Sequence, residues 1–492
     1  MHTKKKNNFN LTKKNVLVLA FFYALFTIEP IFSSEVYNTK LENGLEIFVL
    51  ENHDTPLVRI EIAFRAGASY QTEETEGIFH LYEHMLFKGN TLYESASDIK
   101  NALTDMGVSD YNGSTSTEFV NYYFTVPSSE FKNGIKFWAV AAQSPKLDKE
   151  ELEREKKVVI SEISSFIYNK NQIAHTQIYS NLYGKAPYTF SPSGKVEKIQ
   201  NCSTELLKKM QGDYYCPNNC AIFIMGNIGY EDAVKTVNEY FGEWQKDENC
   251  ISEKTIEQNR AETTLKENLS FFVQNPTYRS TLMIYFPGPD TLKNKNDTYG
   301  ADLFSAVCND RNGKFYKKIK SIKTENGEDA VENFVASYLT TRINGVYAFS
   351  FELKNSCENF VEIISEIQNA VSSEIEKMGK SSYYKNSELA KLKNFLGDER
   401  VLSEENPNTL MEGIRYYWAI CDTDYALSYY DKMNEVKNKE LASFAKKYFR
   451  SSVTVFYMNS AAYTSQISSF LEAGFSELGA ESNWSTEEGK AK

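Results

Sequence analysis

An α+β protein of two similar domains, each an antiparallel sheet with helices packed on one face, is the fold class that the sequence predicts. Three observations predict it. Thr204-Glu205-Leu206-Leu207 leads through Tyr214-Tyr215 to the apolar run Ala221–Met225, and Lys439-Glu440-Leu441-Ala442 leads through Tyr448-Phe449 to Val453–Met458. That repeat, at a spacing of roughly 235 residues, marks duplicated domains and not a solenoid. Within each half, alternating stretches such as Glu46-Ile47-Phe48-Val49 and Val120-Asn121-Tyr122-Tyr123-Phe124 sit among long amphipathic segments, the mixture expected of sheets covered by helices. A length of 492 residues exceeds one ordinary core.

Taken in order, residues 1–34 read as a secretory signal peptide. Lys4-Lys5-Lys6 and Lys13-Lys14 precede an apolar run from Val16 to Ile28, followed by Glu29-Pro30 and Ser33-Ser34. The run is short for a membrane span; an uncleaved anchor is the alternative, because Ile31 and Phe32 fit the small-residue cleavage rule poorly. Removing five lysines and one glutamate with this segment leaves a formal charge of −16 in place of −12. An acidic exported protein is a poor nucleic-acid binder. Residues 35–245 form the first expected domain and 246–265 a polar, acidic linker. Residues 266–476 form a second, homologous domain, and 477–492 a charged tail. Seven cysteines at irregular spacing are read as mostly buried thiols with an occasional disulfide of undecidable connectivity.

The chemistry concentrates in His80-Leu81-Tyr82-Glu83-His84. Histidines at i and i+4 share one helical face, and neutral imidazoles so placed can hold one Zn²⁺. Glu83 falls beside them, near enough to take a proton from the water that a metal activates. This is the inverted form of the H-E-x-x-H motif. With 5 histidines in 492 residues, about 0.004 chance matches are expected. Apolar Ile78, Phe79, Leu81, Met85, Leu86 and Phe87 predict a buried helix, in which polar groups need partners.

A catalytic zinc usually has three protein ligands and an open position. His2, His53 and His175 are poorly placed to be the third. The segment from Glu151 to Ile163 reads as a helix capped near Asp148, its early acids forming a solvated N-terminus. Glu162 differs, because it borders the apolar stripe of Val158, Val159, Ile160, Ile163 and Phe166. It is the candidate third ligand. Glu155, two turns earlier on the same face, is the candidate for support from behind the ligands.

The pattern resembles the pitrilysin/insulinase family of zinc metallopeptidases, which includes the mitochondrial processing peptidases. Leu41-Glu42-Asn43-Gly44-Leu45, Phe64-Arg65-Ala66-Gly67-Ala68, Glu76-Gly77 and Phe87-Lys88-Gly89-Asn90 are similar to the segments flanking its zinc helix. Glu155 and Glu162 match the downstream glutamates, the second being the family's third zinc ligand. Asn112-Gly113-Ser114-Thr115-Ser116 is similar to the strand that pairs with substrate, although the family often has alanine where Gly113 stands. Similarity runs from about Tyr37 to about Ser460.

The resemblance implies one Zn²⁺ per chain on His80, His84 and Glu162, with Glu83 as general base and Glu155 behind the ligands. Peptides or unfolded polypeptides would add as an extended strand along Asn112–Ser116, with Asn112, Gly113 and Ser114 as candidate substrate-binding residues. It also implies paired halves and either a related partner subunit or a homodimer. In many members the second half lends an arginine and a tyrosine to the substrate carbonyl. Here the arginine position carries Lys320, a candidate substrate-binding residue, and Phe334, Tyr338, Arg311 and Arg342 lie nearby. No histidine follows His175, so the chemistry belongs to the first half. The expectation is an exported, periplasmic or secreted, zinc metalloendopeptidase. The rival is a non-hydrolytic, peptide-binding or chaperone-like subunit.

Overall fold

A computed structural model describes residues 36–166, 170–184, 187–246, 250, 260–275 and 279–478. The signal-peptide segment lies outside them, as do most of the expected linker and residues 479–492 of the expected tail.

The first half runs β1 (Val36–Lys40), β2 (Glu46–Glu51), β3 (Leu57–Phe64), α1 (Ile78–Leu86) and α2 (Ala96–Asp105). It continues through β4 (Tyr111–Thr115), β5 (Val120–Pro127), α3 (Phe131–Gln143), α4 (Lys149–Phe166) and α5 (Lys170–Tyr183). It ends with α6 (Val196–Asn201), α7 (Thr204–Tyr214), β6 (Cys220–Gly226) and α8 (Tyr230–Phe241). The second half repeats much of this order: β7 (Leu269–Gln274), β8 (Ser280–Pro287), α9 (Thr291–Asn309), α10 (Lys314–Lys320), β9 (Val331–Leu339) and β10 (Val346–Leu353). There follow α11 (Phe360–Met378), α12 (Asn386–Glu404), α13 (Pro407–Ile420), α14 (Thr423–Glu435), α15 (Asn438–Tyr448), β11 (Val453–Met458), α16 (Ser460–Glu472) and β12 (Ser476–Glu477).

Each half builds a six-stranded sheet, ordered β1-β2-β6-β3-β5-β4 and β12-β7-β11-β8-β10-β9. The α+β class holds, and the duplication is plain in the two strand orders. The sheets are mixed, however, not purely antiparallel: β2 pairs parallel with β6, and β7 pairs parallel with both β11 and β12. The cause is the long helical excursion before β6 and β11. It returns each strand to the middle of its sheet in the direction of its first neighbour, as crossover connections allow.

Helices of each half cover one face of its own sheet, and the opposite faces are not left to water. Phe48, Leu50, Ala63, Ala221 and Phe223 on the reverse of the first sheet pack against Met411, Ile414, Trp418 and Ala419 of α13. Reciprocally, α5 lies on β8 and β11 of the second sheet, with Ile178, Tyr179 and Leu182 in one core with Val273, Val453 and Val455. Each half thus closes the other half's sheet with one helix. Near-continuous apolar strands such as Cys220-Ala221-Ile222-Phe223-Ile224 are the sequence consequence, since both faces are buried.

Polar contacts fix this docking. Arg65 donates to the Trp418 carbonyl at 3.1 Å and stacks on its indole, while Trp418 Nε1 donates to Glu46 at 3.0 Å. Arg415 pairs with the buried Glu61. The described end of the expected linker is tied to both halves: Thr263 Oγ1 donates to Leu182 O, and Arg260 pairs with Asp290. Glu477, assigned to the tail by composition, forms part of β12. Cys216 is bridged to Cys250, and Cys202, Cys220, Cys308 and Cys357 are buried free thiols.

Candidate metal centre

Helix α1 begins at Gly77, whose φ of 90° is left-handed. A Cβ on Gly77 would lie 2.5 Å from Gly194 Cα, so only glycine lets the 191–195 loop close over the start of the helix. Glu76, 3% exposed, ties that loop down by accepting from Ser191 N at 3.1 Å and pairing with Lys195 at 2.8 Å. Ile78, Phe79, Leu81, Tyr82, Met85 and Leu86 enter the core. His80, Glu83 and His84 take the remaining face, as the i, i+3, i+4 spacing dictates.

Opposite them stands α4, whose N-terminus is capped by Asp148 Oδ1 accepting from Glu150 N and Glu151 N at 2.8 and 3.0 Å. The packing of α4 on α1 brings the three expected ligands together. Glu162 Oε2 lies 3.6 Å from His80 Nε2 and 3.6 Å from His84 Nε2. All three donor atoms fall within 4.8 Å of one another. Bonds of about 2.0–2.1 Å around a tetrahedral zinc would hold neighbouring donors about 3.3 Å apart, so the donor set fits the ion with small adjustments.

Glu155 is 7% exposed. Its Oε2 accepts from His84 Nδ1 at 3.1 Å, and its Oε1 pairs with Lys88 Nζ at 2.8 Å. A proton on Nδ1 leaves the Nε2 lone pair of His84 facing Glu162. Burial pushes Glu155 up, but the His84 and Lys88 hydrogen bonds carry it below the usual carboxylate range. Burial and the neighbouring His84 lower His80, favouring the neutral ring. His84 is raised: burial pulls it down, and the Glu155 hydrogen bond with the Glu162 and Glu83 charges outweighs that.

Glu83 lies between α1 and the edge strand β4. Burial raises its pKa, opposed by a hydrogen bond from Thr115, whose Oγ1 donates to Glu83 Oε2 at 2.6 Å. Beneath it, Tyr122 and Tyr215 share a hydroxyl contact of 3.2 Å, and the Tyr82 ring packs tilted against Tyr215 with centroids 4.2 Å apart.

Asn112, Gly113 and Ser114 lie on β4, at the end of the strand order and therefore at an edge. Gly113 faces Glu83; Asn112 and Ser114 belong to the other parity of the strand and are exposed. Asn112 Oδ1 accepts from Gly113 N at 2.9 Å.

Lys320 is not brought to this cluster. Its ammonium donates to the main-chain carbonyls of Val331 and Glu332, and α10 packs on α9, α11 and β9 within the second half. Its neighbours are also engaged elsewhere. Phe334 is in the second core, Tyr338 donates to Pro289 O at 3.0 Å, and Arg342 donates to Ala419 O at 3.1 Å. Arg311 lines a cavity of about 1310 Å³ in the second half. His53 bonds Asn227 at 2.7 Å, and His175 lies against Tyr179.

The sequence places Thr115 only in the strand expected to pair with substrate, and assigns no role of their own to Lys88 or Glu118. Strand alternation carried the signal for Thr115, two residues after Gly113 on the same face. Glu118, 2% exposed, accepts from Ser69 Oγ at 3.2 Å, from Tyr188 Oη and from Arg342 N at 3.0 Å. It joins the approach to α1 to the second half, and only the tertiary structure reveals this.

Comparison with known proteins agrees with this architecture. Residues 47–192 match the family described as insulinase (peptidase family M16), and residues 201–394 match the peptidase M16 inactive domain. An uncharacterized zinc protease of Bacillus subtilis, YmxG, is 31% identical over 205 residues, which are 42% of this chain and 49% of that protein. An uncharacterized zinc protease of Rickettsia bellii is 24% identical over 370 residues, covering 72% of this chain and 86% of the relative. The periplasmic protease PqqL of Escherichia coli shares the fold with a TM-score of 0.69 at 14% identity, over 89% of this chain and 49% of PqqL. The two matching models together span well over half of the sequence, and the chain belongs to the insulinase (M16) peptidase family.

Proposed function

We propose that the chain is an exported zinc metalloendopeptidase that hydrolyses peptides or unfolded polypeptides. The observation that carries this reading is the convergence of His80, His84 and Glu162 within 4.8 Å, with the Glu83 carboxylate beside them and open to the edge of a sheet. His80, His84 and Glu162 would hold one zinc ion, two neutral donors and one anion leaving it net positive. When bound, the ion supplies Lewis-acid polarisation and lowers the pKa of an attached water toward about 7. Glu83 takes the proton of the attacking water and returns it to the leaving amine. Glu155 orients His84 and keeps its Nε2 available. The substrate adds to β4 as an extended strand held through main-chain hydrogen bonds, which favours unfolded chains over folded ones.

The basic-then-apolar N-terminus supports export, with a mature start near Glu35. No helix among the described residues is long and apolar enough to cross a membrane. The chain spans about half the length of PqqL, and its similarity to a protein named mitochondrial-processing peptidase subunit beta supports a working unit of two chains, either a homodimer or a pair with a related subunit.

A quenched-fluorescence peptide library tests the reading, assayed with and without chelator and beside Glu83→Gln. Hydrolysis abolished by chelator and by Glu83→Gln, with about one zinc per chain retained in the variant, is the expected result. Peptide binding without cleavage by the zinc-loaded wild type would establish the binding-subunit alternative instead.

A further inference from the structure

A general base must present one carboxylate oxygen to the reacting water, and a glutamate on a helix has three side-chain torsions with which to miss. Helix α1 fixes only the Cα of Glu83. The rest of the side chain is placed by β4, through two residues of the same strand parity. Thr115 Oγ1 donates to Oε2 at 2.6 Å. At Gly113 a Cβ would stand 2.9 Å from both Cγ and Oε1 of Glu83 and 3.0 Å from Tyr122 Cδ1. One oxygen is therefore pinned by a hydroxyl, and the other occupies space that exists only because position 113 has no side chain.

Resting on the assignment of Glu83 as base, we propose that Thr115 is a positioning residue for that base. Its hydroxyl holds Oε2, and Oε1, passing over Gly113, is the oxygen that accepts the proton. Thr115 touches neither the metal ligands nor the reacting atoms in this role; it acts through Glu83. The hydrogen bond is short, and hydroxyl donors to carboxylates are among the stronger protein hydrogen bonds. The arrangement also couples recognition to chemistry. The strand that would receive the peptide on its outer edge carries, on its α1 face, both contacts that set the base. A peptide that aligns β4 thereby aligns Glu83.

Threonine and valine have nearly the same shape, so Thr115→Val removes the donor and little else. The expected result is a fall in kcat of about tenfold to a hundredfold, the scale on which misplacing a reacting group is felt. KM should stay within about threefold and zinc at one per chain, while Thr115→Ser, which keeps the hydroxyl, should return most of the loss. Thr115→Ala repeats the test if the valine variant does not fold.

A second readout is independent of turnover. In chelated, metal-free protein, Thr115→Val should lower the thermal midpoint in the wild-type background and leave it unchanged in a Glu83→Ala background, because the partner is then absent. The proposal is overturned by a Thr115→Val kcat within twofold of wild type or by an effect confined to KM. A serine variant as impaired as valine, or an equal midpoint shift in both backgrounds, overturns it too. Failure of the underlying assignment looks different: Glu83→Gln would retain turnover whatever Thr115 does.

Discussion

Replacing Glu155 by glutamine probes how far the metal site depends on a residue that does not touch the metal. The carboxylate gives one oxygen to His84 Nδ1 at 3.1 Å and the other to Lys88 Nζ at 2.8 Å, in a side chain 9% exposed. Glutamine has the same size but one acceptor oxygen. It can satisfy His84 or Lys88 but must turn its NH2 toward the other donor. The loss is thus about one hydrogen bond to a charged group, roughly 1.5–3 kcal/mol, part of which falls on the orientation of His84. At about 1.4 kcal/mol per decade this corresponds to a zinc Kd raised about 10- to 100-fold, the range known for partners of ligating histidines. Competition against a chromophoric chelator measures it. Turnover at saturating zinc should recover most of its wild-type value, since no ligand has been removed. Glu162→Gln should lose far more affinity, because a neutral amide replaces an anionic donor. A Glu155→Gln Kd within twofold of wild type would refute the reasoning. Retention of normal zinc by Glu162→Gln would transfer the ligand role to another acid.

Other outcomes concern the docking of the halves and the assembly. Glu46 is half-buried at the junction, where desolvation is outweighed by Arg65 and hydrogen bonds from Thr423 and Trp418, which lower its pKa. Its folded value therefore lies below its unfolded one, and its stabilisation is complete above about pH 5 and fades as pH falls through the folded value. The melting-temperature gap between wild type and Glu46→Gln should be full above about pH 5 and narrow as pH falls below the ordinary glutamate value of about 4.3; a constant gap contradicts the assignment. Trp418→Ala empties a fully buried site in the core between α13 and the first sheet. It should cost about 3–5 kcal/mol and expose the inter-half junction to limited proteolysis; an unchanged denaturation midpoint is the contrary result. None of the second-half candidates for the substrate carbonyl faces the triad within one chain, so specific activity should rise with protein concentration or with an added related subunit. Full activity from a dilute monomer, shown by sedimentation, contradicts that.

The parts of this molecule that were legible in the sequence are those written in local spacing. His80, Glu83 and His84 occupy one face because three and four residues close a helical turn, and Glu155 and Glu162 follow because seven close two. The strand alternation of Val120–Phe124 and the duplicated helix-to-strand segments fixed the class and the repeat. What was hidden depends on partners far along the chain. Nothing near Met411 or Trp418 announces that α13 serves the other half's sheet, since an apolar helical stripe reads alike whichever sheet it covers. The parallel pairing of β2 with β6 was hidden for the same reason. Lys320 was aligned by family position, yet its ammonium is held by the Val331 and Glu332 carbonyls, a contact that only folding of β9 beside α10 creates.

The division between legible and hidden also runs through the site. The ligands descend from two helices, whose periodicity declares them. The group that orients the base descends from a strand edge, where Thr115 looks like any β-branched residue suited to a sheet. A strand edge is ordinarily a liability, open to pairing with any extended chain. Here β4 keeps that edge and places its inward-facing residues against Glu83. Covering the edge to prevent aggregation would remove the place where substrate is proposed to bind, whereas leaving it bare without Thr115 would leave the base unaligned. A partly exposed strand of five residues, small or polar from Asn112 to Thr115, answers both constraints: it is a short edge, and it has a hydroxyl at the position from which Glu83 is reached.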